Sequence, residues 1–232
     1  MPDKFEKMAE INKEETIVDI QGVYSKADNF LHNNKKGIYG GIAAVVLLVA
    51  GVFGYNYYQS QQNEEAAELI WKAEYYFEVD SLDKAINGDG AYQGFASIAS
   101  NFGGTKTGNL AEYYLGICYM QKGEFQNAIE HLEKCDLDDE VVGAIAKGSI
   151  GDAHVELGNT EEGIKFFEKA VAHSDNNFTS PIYLMKAGLA YEKLGNWAKA
   201  LEAYNNIKDN YPNSTEGREI DKYIAKAESL KK

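Results

Sequence analysis

The stretch AGLAYEKLGNWAKA, residues 187–200, decides the fold, because two earlier stretches of the chain repeat its pattern. Residues 115–128 read LGICYMQKGEFQNA, and residues 150–163 read IGDAHVELGNTEEG. Each stretch has a glycine at its second position, another glycine seven residues later and a small residue at its end. The first glycines, Gly116, Gly151 and Gly188, lie 35 and 37 residues apart. A period of this length predicts a stack of similar structural units.

The residue types predict a pair of helices in each unit. Glycine in the middle of a helix costs roughly 1 kcal/mol relative to alanine, so the first glycine indicates two helices that nearly touch. The second glycine of each motif suits the left-handed residue that ends a helix; these are Gly123, Gly158 and Gly195. The expected small partners on the second helices are Ala128, Gly163 and Ala200. The aromatic residues expected to fill the space between units are Tyr119, Phe125, Tyr191 and Trp197.

Further helices are expected on both sides of these three pairs. An incomplete fourth copy around Phe95–Thr105 should pair with a first helix over residues 64–79. Residues 215–230 predict a capping helix with a polar, lysine-rich face, which a helical stack needs at its end. The connection that contains Asn87-Gly88-Asp89-Gly90 is interpreted as a tight turn, because a calcium loop would need further acidic ligands.

The run IYGGIAAVVLLVAGVFGY, residues 38–55, carries no charge. Eighteen helical residues span about 27 Å, close to the ~30 Å hydrocarbon thickness of a bilayer. A cleaved signal peptide is disfavoured, because 36 residues precede the segment assigned here to the membrane and no small-residue cleavage site follows the run. The sequence therefore predicts a transmembrane helix over residues 37–58.

Lysines predict the orientation of this helix. Lys26, Lys35 and Lys36 lie within 20 residues before the span, and Lys72 is the only lysine within 20 residues after it. The positive-inside rule then places residues 1–36 in the cytoplasm and residues 59–232 outside the inner membrane. Apolar residues at helical spacing over residues 14–33 predict a short amphipathic helix, which either contacts a cytoplasmic partner or only flanks the span.

The repeated motif is the tetratricopeptide-repeat (TPR) pattern, and the whole arrangement resembles a known family. It is similar to the TPR-containing ancillary subunit of the SecYEG translocon of Gram-negative bacteria. The resemblance implies an all-α chain with one transmembrane helix and a periplasmic TPR solenoid of about four hairpins plus a capping helix. It also implies partners: the SecYEG translocon, a periplasmic chaperone and secreted clients. A scaffold in another envelope assembly, such as outer-membrane biogenesis, is the alternative.

Composition disfavours several other functions. The net charge of −13 opposes binding to nucleic acid, which requires a basic surface. We find no phosphate-binding glycine loop, nucleophile motif, metal-ligand spacing or cofactor motif, so we expect no enzyme and no cofactor.

The histidine at position 154 replaces a tyrosine of the neighbouring copies and is interpreted as a packed helix residue. Cys118 and Cys135 are either two small packed residues or one disulfide.

The predicted functional surface is a groove. In a TPR stack the first helices of successive pairs line a concave surface. The groove residues expected here are mostly apolar, which favours an extended or helical apolar protein segment over a charged carboxyl terminus. The alternative is that the chain's own terminal helix covers them. They are Leu110, Tyr113, Ile117, Ile145, Val155, Ile182, Met185 and Leu189.

Overall fold

The computed structural model describes residues 20–231, and within them the fold is all-helical. The eleven helices of this part of the chain are α1 Ile20–Asn33, α2 Lys35–Glu78, α3 Leu82–Asn87, α4 Phe95–Asn101, α5 Lys106–Gln121, α6 Phe125–Lys134, α7 Val142–Glu156, α8 Thr160–His173, α9 Ser180–Lys193, α10 Trp197–Asn210 and α11 Thr215–Leu230. The chain divides into two compact units, one up to Tyr58 and one from Gln59 onward.

The first unit contains α1 and the first part of α2. Of the described helices, α2 alone is long and apolar enough to cross a membrane, judged by length and composition. Its most apolar stretch has a mean hydropathy of 2.1, and its side chains are exposed, as Leu47 (73%) and Phe53 (72%) illustrate. The amphipathic helix predicted over residues 14–33 is helical from Ile20, and residues 14–19 lie outside the described part.

The second unit is a stack of helical hairpins. The pairs α5/α6, α7/α8 and α9/α10 pack within themselves, and each hairpin also contacts the next. Four clusters of buried apolar residues follow one another from α2 to α11 and form its core. The turns inside the three pairs contain Gly123, Gly158 and Gly195 at φ angles of 72°, 83° and 72°. The predicted left-handed turn glycines are therefore confirmed.

The mid-helix glycines also lie where two helices meet. A Cβ atom on Gly151 would stand 2.9 Å from the carbonyl oxygen of Gly163, so the backbones of α7 and α8 come close, as predicted. The other two first glycines meet large side chains instead. A Cβ atom on Gly116 would stand 2.3 Å from Leu132 Cγ, and one on Gly188 would stand 2.3 Å from Tyr204 Cε1. The small residue Gly163 thus faces Gly151, as predicted. Gly116 and Gly188 instead make room for the bulky side chains of Leu132 and Tyr204.

The four aromatic residues expected between the units lie at the edge of the core. Tyr119, Phe125, Tyr191 and Trp197 pack against the edges of the clusters and are only half-buried. The reason is geometric: Tyr119 and Tyr191 lie near the end of a first helix and Phe125 and Trp197 begin a second helix, so all four border the turn between the two helices. Among the described residues, the buried aromatic side chains are Phe95, Phe102, Phe167, Tyr183, Tyr204 and Tyr211.

The first hairpin is more elaborate than the other three. Its first helix is the end of α2, which runs to Glu78 as the sequence predicts, because no glycine or proline interrupts residues 55–87. The short helix α3 was not predicted and lies in the connection to α4. The side chain of Thr105 caps α5 by accepting a hydrogen bond from the backbone N–H of Gly108. At the opposite end, α11 confirms the predicted capping helix over residues 215–230.

Candidate protein-binding groove

The first helices of successive hairpins are neighbours in the stack. Helices α5 and α7 are in contact, and α7 meets α9 where the ring of Tyr183 packs over Gly148. A Cβ atom on Gly148 would stand 1.9 Å from Tyr183 Cε1, so the absence of a side chain lets the two helices approach. This succession of α5, α7 and α9 forms the surface on which the predicted groove residues are placed.

The structure distributes the eight predicted groove residues along this surface. All except Leu189 are half-buried, and Leu189 has 42% of its surface exposed. Several also pack against the core, so they are not a free apolar strip: Tyr113 and Ile117 share one cluster, and Val155 and Ile182 share another. Leu110 and Met185 pack at the two ends of the stack, and Ile145 lies on α7 between them. Their role as a binding surface stays a prediction.

The terminal helix covers only one end of this surface. Among the helix pairs in substantial contact within residues 20–231, α11 pairs with α9 and α10. Its Lys226 ammonium forms an ion pair with Glu192 of α9, and its apolar side packs into the cluster that Met185 borders. The proposed self-covering can therefore apply near Met185, while the α5 residues Leu110, Tyr113 and Ile117 lie toward the other end.

A charged pair that the sequence reasoning missed joins two of the first helices. Lys186 Nζ of α9 lies 2.5 Å from Asp152 Oδ2 of α7. Lys186 also stands over the rings of Tyr183 and Phe167, at 5.6 and 5.9 Å from their centroids. Burial raises the pKa of Asp152 above its ordinary value, although the hydrogen bond from Lys186 acts in the opposite direction. The middle of the groove surface is thus polar, not continuously apolar.

The repeat register alone does not reveal this pair. Asp152 and Lys186 are 34 residues apart, whereas the first glycines of their two hairpins are 37 residues apart, so Lys186 lies three residues before the position equivalent to Asp152. The ion pair between Glu192 of α9 and Lys226 of α11 has the same separation. Side chains about 34 residues apart can therefore meet between successive units without occupying equivalent positions of the repeat.

Replacing Lys186 by methionine should make stability depend more strongly on pH. Without the ammonium group, the folded-state pKa of Asp152 rises further above its unfolded value, which is about 3.9. A group with a raised folded pKa favours the native state below its unfolded pKa, and this contribution disappears as pH rises through the folded pKa. We therefore expect the K186M chain to lose unfolding free energy relative to wild type as pH rises from about 4 to 7.

Urea unfolding of the full chain in mild detergent, followed by circular dichroism at several pH values, measures this effect. The double variant D152N/K186M serves as the control, since it has no carboxylate to titrate at this position. Its difference from wild type should vary less with pH than that of K186M. An equal loss at every pH for K186M would assign the role of Lys186 to packing on the aromatic rings.

Other reactive side chains in the stack are enclosed or paired. Cys118 and Cys135 are free thiols, so the disulfide alternative is not realised. Burial raises the pKa of Cys118 to about 12 and that of Cys135 to about 11, which keeps both protonated at neutral pH. His131 Nδ1 lies 2.6 Å from a carboxylate oxygen of Glu112, and the ring of His154 stacks on Phe166, consistent with a packed helix residue. Among residues 20–231, no group of three potential metal ligands comes together.

The stacked hairpins agree with a family model described as the tetratricopeptide repeat-like domain, which matches residues 28–230. The chain belongs to this family. The match includes the apolar run of α2 as well as the TPR hairpins. Repeats of this type form protein-interaction scaffolds that are typically not catalytic, so the fold of this TPR protein implies binding of protein partners.

Individual similar proteins are distant. Tetratricopeptide repeat protein 29 of Macaca fascicularis is 28% identical over 122 residues, which are 49% of this chain and 26% of that protein. This chain therefore spans about a quarter of its relative. The nearly identical TPR-like repeats of a putative kinesin light chain from Podospora anserina superpose with a TM-score of 0.54 and 14% identity, covering 72% of this chain and 87% of that one.

The TPR2B domain of yeast Sti1, in a structure of its complex with pHsp70, matches with a TM-score of 0.43 and 21% identity, covering 53% of this chain and 98% of that chain. At these identities the kinesin light chain repeats show the TPR fold alone. The partner of this chain has to be argued from its own residues.

Proposed function

We propose that this TPR protein is anchored in the inner membrane by residues 37–58 and binds protein segments outside it, as an accessory subunit of the Sec translocon. The observation that carries the proposal is the combination, within one family match, of an uncharged helical run and a stack of hairpins. Residues 1–36 are then the cytoplasmic segment, and residues 59–232 form the periplasmic TPR domain. Its groove docks chaperones or clients that emerge from the translocon pore.

Charge and exposure support the anchoring. Lys35 and Lys36 begin α2 on the proposed cytoplasmic side, and the apolar side chains that follow are exposed. Exposed surface of this kind is stable in hydrocarbon but unfavourable in water. Tyr39 near one end of the run and Tyr55, Tyr57 and Tyr58 at the other suit the interfacial regions of a bilayer.

The topology predicts which single cysteines a membrane-impermeant maleimide reaches. In a chain without its two native cysteines, Ser229→Cys should be labelled in spheroplasts of a Gram-negative host, because α11 would lie in the periplasm. Asn29→Cys on α1 should be labelled only after detergent opens the membrane. Both positions are exposed, so the comparison reports the side of the membrane. The reverse pattern would remove the secretory role.

Crosslinking in cells tests the partner. A photo-reactive amino acid at Tyr113 or Met185 should capture translocon subunits or a periplasmic chaperone. The matched control is Asn205, an exposed residue of the second helix α10, where capture of these proteins should be much weaker. Equal capture from all three positions would contradict the groove. Capture of an outer-membrane assembly factor from Tyr113 and Met185 would instead establish the alternative scaffold.

A further inference from the structure

One face of α2 within the second unit carries apolar side chains that the core does not use. Ala66, Ile70 and Ala73 are buried on one side of this helix. On another side lie Trp71 and Tyr75, and Val79 follows directly after the end of the helix; the three residues are four positions apart and have 51%, 47% and 53% of their surface exposed. The outward face of a helix on a soluble domain is usually polar, so this stripe requires an explanation.

The connection after α3 adds a fourth exposed side chain, Tyr92, with 47% of its surface exposed. Its ring lies 5.6 Å from that of Trp71 in an edge-to-face arrangement. Trp71, Tyr75, Val79 and Tyr92 are called the aromatic patch below. Large aromatic side chains of this kind are enriched among the residues that dominate protein–protein binding energy.

The loop that presents Tyr92 is held in one conformation by Asp89. One carboxylate oxygen of Asp89 accepts a hydrogen bond from the hydroxyl of Tyr76 at 2.6 Å, and the other accepts from the backbone N–H groups of Ala91 and Tyr92. Gly88 has a φ angle of 83°, and a Cβ atom there would stand 2.3 Å from the carbonyl oxygen of Tyr92. The patch is therefore ordered before any partner arrives, which reduces the entropy lost on binding.

Lys72 adjoins the aromatic patch, and Lys84 lies beside Tyr76, whose ring centroid is 5.8 Å from that of Tyr75. Lys72 Nζ lies 4.6 Å from the ring centroid of Tyr75, 5.4 Å from that of Trp71 and 5.5 Å from that of Tyr92. Lys84 Nζ lies 5.6 Å from the ring of Tyr76. Within residues 20–231 neither ammonium group forms an ion pair with a carboxylate.

Lys72 and Lys84 are the two basic residues among residues 59–101, and the second unit as a whole is acidic. Residues 59–232 contain 29 acidic and 17 basic side chains. An extended membrane surface rich in anionic lipid would face the acidic domain as a whole and be repelled by it, which makes lipid headgroups a poor match for the patch. A short protein segment can place a carboxylate beside Lys72 or Lys84 while its apolar side chains pack on the rings.

We propose that the aromatic patch, together with Lys72 and Lys84, is a second protein-binding site that takes an acidic segment containing aromatic or large aliphatic residues. Trp71 and Tyr92 supply the apolar contact, and the two ammonium groups pair with carboxylates of the segment. The site is separate from the groove on α5, α7 and α9, so it does not depend on the translocon assignment.

The first test identifies a ligand by selection from a library of random peptides. Random peptides displayed on phage are selected on the full chain in nanodiscs and counter-selected on the Trp71→Ala chain. We expect the enriched peptides to combine Asp or Glu with Phe, Trp, Tyr, Leu or Ile. Enriched peptides that lack acidic residues, or the absence of any peptide that prefers wild type over Trp71→Ala, would overturn the proposal.

The second test observes the site directly. The chain has two tryptophans, so Trp197→Phe leaves Trp71 as the sole indole fluorophore. Binding of an enriched peptide should shift Trp71 emission to shorter wavelength. Lys72→Gln or Tyr92→Ala should weaken binding about tenfold, whereas Tyr92→Phe should retain it because the ring remains. A peptide in which every Asp and Glu is replaced by Lys should not bind.

Two further outcomes would contradict the proposal. Equal binding of the lysine peptide would show that carboxylates are not recognised. A Trp71 emission shift that appears when phosphatidylglycerol replaces phosphatidylcholine in the nanodiscs, and is lost in Lys72→Gln, would assign the aromatic patch to the membrane surface. Circular dichroism of each variant must match that of wild type, and the Tyr92→Phe and Lys72→Gln changes are conservative enough to keep the loop in place.

Discussion

Tyr204→Ala is expected to lower the free energy of unfolding by about 3–5 kcal/mol, the range for removing a large aromatic side chain from a core. Tyr204 of α10 is completely buried, and its ring fills the space that Gly188 leaves open on α9. The same cluster contains Ile220 and Ile224 of α11, so this ring joins the last hairpin to the capping helix. The cavity left by alanine would be bordered by three helices, which cannot all move inward together.

Urea unfolding of the full chain measures the total loss, and amide hydrogen exchange locates it. Because each unit of a helical stack contacts only its neighbours, α11 should become less protected than α5. Tyr204→Phe is the matched control, as it removes only the 3.1 Å hydrogen bond from the hydroxyl to Glu192 and should cost about 1 kcal/mol. If Tyr204→Ala lowers the free energy of unfolding no more than Tyr204→Phe does, the ring does not hold α10 and α11 together.

The regular part of this fold could be predicted because the same residue types recur at the same positions of three repeats. Three glycines at one position and three at another indicate a close helix contact and a left-handed turn, and the structure has φ angles of 72–83° at the latter positions. The end of the stack was equally clear, since a helix over residues 215–230 follows directly from its periodicity. Repetition therefore compensated for the weakness of any single motif.

The irregular part could not be predicted in the same way. Helix α3 has six residues and no repeated counterpart, so neither periodicity nor comparison between units identifies it. The fixed loop that follows depends on Asp89 accepting hydrogen bonds from Tyr76, a residue 13 positions away, and such a contact exists only in three dimensions. The hydrogen bond from Tyr76 lowers the pKa of Asp89 to about 2, which keeps this carboxylate charged throughout the physiological range.

The candidate groove lies between these two cases. The repeat register placed Leu110, Tyr113 and Met185 on first helices, and the structure has them there. The burial of these side chains could not be predicted, because a side chain between two first helices can contact the neighbouring unit instead of a ligand. The pattern gives the register of a residue on its helix but not its depth between helices. This is why the Asp152–Lys186 pair in the middle of the surface was missed.

Gly151→Val is the second substitution expected to have a large effect, with a loss of about 3 kcal/mol or more. A Cβ atom at this position would stand 2.6 Å from Phe167 Cε1 and 2.9 Å from the carbonyl oxygen of Gly163, against a normal contact of about 3.5–4 Å. Phe167 is buried and the carbonyl belongs to α8, so relief requires the two helices to separate. Urea unfolding of the full chain measures the loss.

Gly151→Ala gives the sharper test, because two principles predict opposite signs. Helix propensity alone would stabilise the chain by about 1 kcal/mol, whereas the contact with Gly163 should make the net change a loss. Phe167→Leu in the alanine background removes the clash with the ring but leaves the clash with the carbonyl, so rescue should be incomplete. A gain in stability for Gly151→Ala would mean that α7 and α8 separate at little cost. Asp152 follows Gly151 on α7, so a loss of stability in Gly151→Ala should be accompanied by a weaker ion pair between Asp152 and Lys186 of α9.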